Sequence, residues 1–575
     1  MFARATLCSL AALALVSCDS PPASVDAATL PDVGMDAGTD AGPPPPDFCA
    51  ELSIPHIAYT TGAGGNAFGD LAGDFTVHTV DGATWHLQDE WSGCESYVFF
   101  VDFPGQNDAL FTSQLDLLFT VGPRNVRYFF LSDDIDEAAR QSFLTRQAAA
   151  LEAAFALEDT SEADRAFWRT RFHYVTDQAT TLPGSVGQML TTYITYAHTA
   201  AAAVDIGGGR GRVYPPMPSV FGIDRAQHWD AGDSLSPVPA ATDNSSLGMA
   251  AYLGHFYNYR GALEVRLASQ AAATTVVPLV EMTTMTRVFT PAVTLPDAAT
   301  MAGFDTLEID AVVDCQAQNP FGCSEWDRIA DVNLCVDGAA CTQRMEIGRW
   351  ITPYWRRGRQ HYVLDASAFL GLLRAGGSQT FQVELGPDWE RATEWHASVS
   401  LRLRHVGGVP SARTASRAFV GGTFDAAYNA AHTPFSFTPP AGTTRVELVT
   451  LLTGHGQDGT TNCAEWCDHR HTFSINGTAL PTIRHTGALI GTPMGCAGRT
   501  GEGIIPGQFG NWAYERAYWC PGLAVEPIHT DITSMVTIGS PNTVSYVAGL
   551  GANTTLPAMD GNTMIDLSTY VVYYQ

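Results

Sequence analysis

The rhythm of apolar and polar positions divides this chain into two textures. Residues 71–82, closed by Asp81-Gly82 and followed by Trp85, predict a strand and turn, and the nearly continuous apolar run 96–103 predicts a buried strand. Residues 127–131 predict a further strand, 135–157 a helix with apolar positions recurring at helical spacing, and 219–223 a strand after Pro218. Strands that alternate with helices imply an α/β layer structure. From about residue 275 helical spacing almost vanishes. Short alternating runs at 306–312, 361–364, 380–385, 399–403, 445–452 and 546–550 are separated by Gly, Pro and Asp clusters, as antiparallel β-sandwiches require. Val406-Gly407-Gly408-Val409-Pro410 interrupts the series near its middle, which predicts two jelly-roll domains, 276–408 and 409–575. The expected fold is therefore mainly β: two antiparallel jelly-roll β-sandwich domains preceded by an α/β domain.

The first residues carry a different signal. Arg4 precedes an apolar stretch and then Leu15-Val16-Ser17-Cys18, the pattern of a secretory leader ending in a lipobox, so residues 1–18 are expected to direct export and Cys18 to be lipidated. Residues 19–47 are rich in Pro, Ala, Gly and Asp with almost no large apolar side chain, and are expected to form a disordered tether. The expected location is the cell envelope, periplasmic or at the surface, with the membrane contacted through the lipid only.

Composition excludes several chemistries. All 31 basic residues are Arg, so a Schiff-base lysine and a P-loop lysine are ruled out. A net charge of -28 argues against nucleic acid as a partner. A chain of 575 residues should divide into about three domains.

Cysteine spacing suggests rigid loops rather than a metal. Beyond Cys8 and Cys18, eight of the remaining cysteines pair naturally by proximity as Cys315 with Cys323, Cys335 with Cys341, Cys463 with Cys467, and Cys496 with Cys520. No set of paired Cys-x-x-Cys or Cys/His ligands suits zinc. Region 66–240 resembles the thioredoxin-like fold, with Pro218 at the cis-proline position. However, Trp91-Ser92-Gly93-Cys94-Glu95-Ser96 holds one cysteine where a redox pair needs two. Cys94 is thus expected to be buried or paired with Cys49 rather than a reactive thiolate, and the region to act as a spacer or substrate-presenting module.

Two phrases carry the chemistry: Cys323-Ser324-Glu325-Trp326-Asp327 and Cys463-Ala464-Glu465-Trp466-Cys467. A carboxylate and an indole beside a cross-linked loop are the equipment of a carbohydrate-processing site. Together with Glu346–Trp355, Asn511-Trp512-Ala513, Arg516 and Trp519-Cys520-Pro521-Gly522, they make residues 276–575 resemble the peptide:N-glycosidase F family. That resemblance implies an amidase that removes N-linked glycans from asparagine in glycoproteins or glycopeptides, without metal or cofactor. It implies Asp327 as principal catalytic aspartate, Glu465 as second essential carboxylate, and Arg328, Trp466, Arg516 and Trp519 in the same cleft. It also matches three of the cysteine pairs, 315/323, 463/467 and 496/520.

The reaction's own needs agree. Amide hydrolysis requires a base for water, donors for the oxyanion and an acid for the departing nitrogen. Asp327 and Glu465 would supply the first and last, and Arg328 positive charge. Trp326, Trp389, Trp466 and Trp519 could stack on sugar faces, with His455 a further substrate-binding candidate, whereas Trp350 and Trp355 suit core packing. One departure matters: the family's third carboxylate falls at Pro387, leaving Asp388 as its candidate replacement. Two other classes remain open at this stage. One is a copper monooxygenase using His469-Arg470-His471 and His455; the other is a non-catalytic glycan-binding lipoprotein.

Overall fold

The computed structural model describes residues 46–62, 64–197, 204–205, 212–213, 219–232, 246–285, 288–315, 326–385, 395–485 and 494–575. Cys18, the tether's residues 19–45, Pro218, Cys323, Pro387, Asp388 and Trp389 lie outside them. Residues 47–575 form one compact unit.

Its front is a mixed sheet. Strands β1 (Ser96–Asp102), β2 (Val126–Ser132), β3 (Phe172–Gln178), β4 (Val220–Ile223) and β5 (Trp229–Ala231) lie in the order β3-β2-β1-β4-β5. The first three are parallel, while β4 and β5 join antiparallel. β1 is apolar nearly throughout because both of its faces are covered, the pattern expected of a strand within an α/β layer. Helix α1 (Glu137–Leu157) starts where Asp136 accepts a hydrogen bond from the Ala138 N–H at 2.9 Å, so its charge also meets the positive end of the helix. Helix α2 (Ser185–Ala197) follows β3. Cys94, 7% exposed, is joined to Cys49 in a disulfide, which removes the thiolate reading.

Helix α3 (Ala251–Gln270) links the front to the β half. It buries side chains on most of its circumference, among them Tyr252, Leu253, Phe256, Tyr257, Leu263 and Leu267. With apolar contacts all round, it has no single apolar stripe, which explains why periodicity did not reveal it.

The first sandwich sets sheet β6 (Thr274–Met285), β13 (Trp395–Arg404), β8 (Thr306–Cys315), β11 (Gly358–Asp365) against a second sheet. That sheet comprises β7 (Ala292–Asp297), β12 (Gly376–Glu384), β9 (Ile329–Cys335), β10 (Arg344–Ile351) and the short strand Val288–Phe289, which also pairs with β12. The second sandwich sets β14 (Ala412–Thr423), β20 (Met564–Tyr574), β16 (Arg445–His455), β18 (Ile528–Asp531) against β15 (Phe435–Phe437), β19 (Asn542–Leu550), β17 (His469–Ile475) and two short strands on β17. Every pairing in both sandwiches is antiparallel.

One hydrophobic core runs from the α1 side of the front sheet through α3 into the first sandwich and on to Ile504, Trp512 and Trp519 of the second. The front and the β half therefore share one interior. Among the described residues no helix is long and apolar enough to cross a membrane.

Candidate active site

Asp327 lies two positions before β9, whose first residue Ile329 pairs with Ile351 at the end of β10. Reciprocal hydrogen bonds fix the turn: Arg328 N–H donates to Thr352 Oγ1 and Thr352 N–H to the Arg328 carbonyl, both at 2.8 Å. Asp327 is thereby anchored at the edge of the first sandwich, where the two sandwiches meet.

Glu465 comes from the other sandwich, in the loop between β16 and β17. The Cys463–Cys467 disulfide closes that loop. Asp458 knots it from within, accepting from the backbone of Thr461 at 2.6 Å and of Asp560 at 2.9 Å. These donors, the Asp560 N–H and the Thr461 hydroxyl foremost, hold the Asp458 carboxyl well below the usual range, so it stays an anion at any working pH. Glu465 is then pinned through its own backbone, N–H to Gly456 O and carbonyl to Ala517 N–H, each at 3.0 Å.

Between them lies Arg516, fully buried. Its Nε is 3.2 Å from Glu465 Oε1 and 3.9 Å from Asp327 Oδ2. Its Nη2 donates to Tyr354 Oη at 3.0 Å and to Asn511 Oδ1 at 2.7 Å, and its Nη1 to the Tyr514 carbonyl at 2.7 Å. The Tyr354 hydroxyl also neighbours Asp327 and favours its charged form. Three aromatic rings face the guanidinium: Trp466 at 4.8 Å, Trp519 at 5.0 Å and Tyr354 at 5.6 Å. Trp519 is locked by donation from its indole N–H to the Gly454 carbonyl at 2.7 Å and by His455 stacked on it at 4.9 Å.

Protonation follows from this arrangement. Burial and the neighbouring Asp327 push the Glu465 carboxyl up to about 8 against the pull of Arg516. Burial also raises Asp327, while Arg516, the Tyr354 hydroxyl and, more weakly, Arg328 oppose the shift. Glu465 thus keeps its proton near neutrality, which suits it to act as an acid beside Asp327. Burial, with Arg349 and Arg516 nearby, pushes His455 down to about 3, so its ring is neutral.

Of the residues picked out in the sequence, Asp327, Arg328, Glu465, Trp466, Arg516, Trp519 and His455 come together here. Trp326 is 46% exposed beside Asp327, available as a ledge. Trp350 is fully buried and stacked on Tyr362, as core packing requires. The disulfides Cys335–Cys341, Cys463–Cys467 and Cys496–Cys520 form as spacing predicts, and Cys315 is disulfide-bonded.

His469 and His471 do not form an open copper site. Both are fully buried, with Nδ1 of the first 2.7 Å from Nε2 of the second, and the other His471 nitrogen 2.6 Å from Tyr546 Oη. His455 Nε2 is 2.8 Å from Thr453 Oγ1. His469 Nδ1, both His471 nitrogens and His455 Nε2 are committed to one another and to hydroxyls, so these rings serve the core beneath the Glu465 loop.

Sequence reasoning overlooked Tyr354 and Asn511, although both lie within the segments that carry the family resemblance. It also missed Arg349. That side chain pairs twice with Glu346 at 2.7 Å, reaches Asp566 at 2.9 Å, and donates to Thr453 Oγ1 at 2.6 Å, behind His455.

The comparisons with known proteins converge on the same half of the chain. A family model described as "Peptide-N-glycosidase F, C terminal" matches residues 423–572. The solved structure of recombinant peptide:N-glycanase F is 22% identical, with a TM-score of 0.41, covering 53% of this chain and 96% of that one. A structure of the enzyme from Flavobacterium meningosepticum is 20% identical, with a TM-score of 0.40, covering 52% and 96%. The peptide-N(4)-(N-acetyl-beta-D-glucosaminyl)asparagine amidase F of Elizabethkingia miricola is 30% identical over 267 residues, 44% of this chain and 69% of that protein. On that match the chain belongs to the peptide-N-glycosidase F family.

Proposed function

We propose that the chain hydrolyses the amide between asparagine and the first N-acetylglucosamine of N-linked glycans on glycoproteins or glycopeptides. The observation that carries this reading is the pair Asp327 and Glu465, one from each sandwich, facing a single buried guanidinium that lies over the indoles of Trp466 and Trp519.

In the proposed reaction the ionised Asp327 takes a proton from water as the water oxygen bonds to the side-chain carbonyl carbon of the glycosylated asparagine. Positive potential from Arg516 and Arg328 stabilises the oxyanion. As the carbon–nitrogen bond breaks, the protonated Glu465 gives its proton to the leaving nitrogen. Asp327 then returns its proton to Glu465, and aspartate and a glycosylamine depart. Trp466 and Trp326 supply faces for the sugar rings, whereas Trp519, 3% exposed between His455 and Arg516, braces the guanidinium instead of stacking on sugar.

Incubation with an N-glycopeptide followed by mass spectrometry tests this. The expected product is a free peptide about one mass unit heavier than its asparagine form, because Asn becomes Asp. A peptide that retains one N-acetylglucosamine, or stays intact, would overturn the reading.

We also propose that the enzyme works outside the cytoplasm, held through lipid on Cys18 and the 19–47 tether. The disulfides support an oxidising compartment. Loss of membrane association in Cys18→Ser would be expected; retention would exclude the anchor.

A further inference from the structure

The segment carrying Tyr354 is held from behind by the front module. Arg356, 1% exposed, directs its Nη2 at Asp230 Oδ2 of strand β5, 2.7 Å away. Its Nε donates to the Pro506 carbonyl at 2.9 Å and its Nη1 to the Arg357 carbonyl at 3.2 Å. Asp230 is 3% exposed, and its other oxygen receives Arg260 Nη1 of α3 at 3.3 Å. Of the groups bonded to the Arg356 guanidinium, only Asp230 carries a negative charge.

Two residues back along the chain, Tyr354 touches both Arg516 and Asp327. Its own N–H donates to Gln508 Oε1 at 3.0 Å, in the same stretch as Pro506. The fit is close on both sides. At Gly507, which has a positive φ of 72°, an added Cβ would sit 3.1 Å from the backbone of Gly232, just past β5. At Gly358, φ 78°, it would sit 3.0 Å from Phe68 of the front module. Arg357 lies over the rings of Phe68 and Tyr193 at 5.4 and 5.5 Å. A buried ion pair that crosses a module boundary is weak as a source of stability but strong as a register device, because removing one partner leaves a desolvated charge.

We propose that Asp230 is a positioning residue for the amidase centre: through Arg356 it sets the turn that places Tyr354 against Arg516 and Asp327. This rests on the amidase reading above. The front module is then a structural part of the active site, its β5 edge adding to the hold that Pro506 and Gln508 already have on this turn.

Full-length Asp230→Asn and Arg356→Met are the decisive variants, with Glu264→Gln as comparison. Glu264 joins α3 to His361 at 3.0 Å across the same boundary, and among the described residues it bonds to neither Arg356 nor Tyr354. With a glycopeptide substrate, Asp230→Asn and Arg356→Met are expected to lower kcat about tenfold or more with little change in KM, since small misplacements of reacting groups are costly. They are also expected to move the alkaline limb of the pH profile downward. Glu465 faces Asp327 and Arg516, and loosening the Tyr354 side admits water to all three. Glu264→Gln is expected to lower Tm and leave both quantities unchanged.

An unchanged kcat and alkaline limb in Asp230→Asn, with only Tm reduced, would overturn the proposal. If Asp230→Asn does not fold, Arg356→Lys keeps the charge while losing the contact to Pro506, and wild-type kcat there would overturn it equally. If wild-type protein cleaves no glycopeptide, the amidase reading fails by itself. The positioning claim is then read from melting: the pH dependence of Tm that Glu465→Gln removes should shrink in Asp230→Asn, and its persistence at wild-type size would overturn the claim.

Discussion

Glu465 and Asp327 reach the same nitrogen of one buried arginine from different sandwiches, at 3.2 and 3.9 Å. Neither domain alone therefore holds a complete acid–base pair. Because both carboxyls are raised, by burial above all and, at Glu465, by Asp327 as well, their titration belongs to the pair.

Asp327→Asn should lower kcat/KM on a glycopeptide by on the order of a hundredfold or more, the size of a general-base contribution. Circular dichroism should stay native, since the hydrogen bonds that fix the turn use the backbone of Arg328 and Thr352. Activity within a few-fold of wild type would remove Asp327 from the mechanism.

Glu465 should leave a signature in stability. In the folded protein it holds its proton up to about pH 8, whereas an unfolded chain releases it near the ordinary glutamate value. Folding therefore takes up a proton between those limits. The contribution is fully present below the unfolded pKa and is lost as pH rises toward 8. Tm should fall across that window in wild type and fall less in Glu465→Gln; parallel curves would contradict the raised carboxyl. The same proton predicts that kcat/KM declines above about pH 8.

Arg516→Met should be more damaging than either carboxylate change. It leaves two desolvated carboxyls without their cation and removes the partner of Tyr354, Asn511 and Tyr514. Loss of one partner from a buried charge cluster costs about 3–5 kcal/mol. A thermal melt that matches wild type would show the cluster to be looser than its geometry indicates.

Cys463→Ser with Cys467→Ser should preserve the fold while reducing kcat, because the small loop loses the covalent closure that orients Glu465. Equal rates in the oxidised protein and the double variant would show that Asp458 and the Gly456 and Ala517 backbone bonds suffice.

A fragment lacking residues 1–270 should be insoluble or inactive. It would leave Arg356 without Asp230 and expose the apolar surface that α3 covers. A soluble fragment with full activity would show that the shared interior is dispensable.

Much of this was legible in the chain. Period-two alternation located the strands at 306–315, 358–365 and 395–404, although each proved longer than its apolar run because polar and small residues such as Asp314, Arg359, Gln360 and Ser398 continue the pairing. Asp327 and Glu465 stood out because cysteines, carboxylates and indoles cluster in short segments, and Arg516 and Trp519 through the family resemblance those segments carry. Tyr354 escaped because an aromatic next to tryptophan and arginine reads equally as core. Asp230 escaped because nothing local joins β5 to Arg356, 126 positions later. Contacts between distant elements are decided by packing, which carries no periodic signal.

The shared core also dictates how the molecule must be made. Helix α3 meets residues 497–503 of the second sandwich, so it stays unsealed until the last domain is in place. Closing such long loops is slow, and the apolar surface waiting to be covered is prone to self-association. Recovery of active protein should therefore be set by the competition between folding and aggregation, through chain concentration and holding chaperones, more than by the stability of the finished fold.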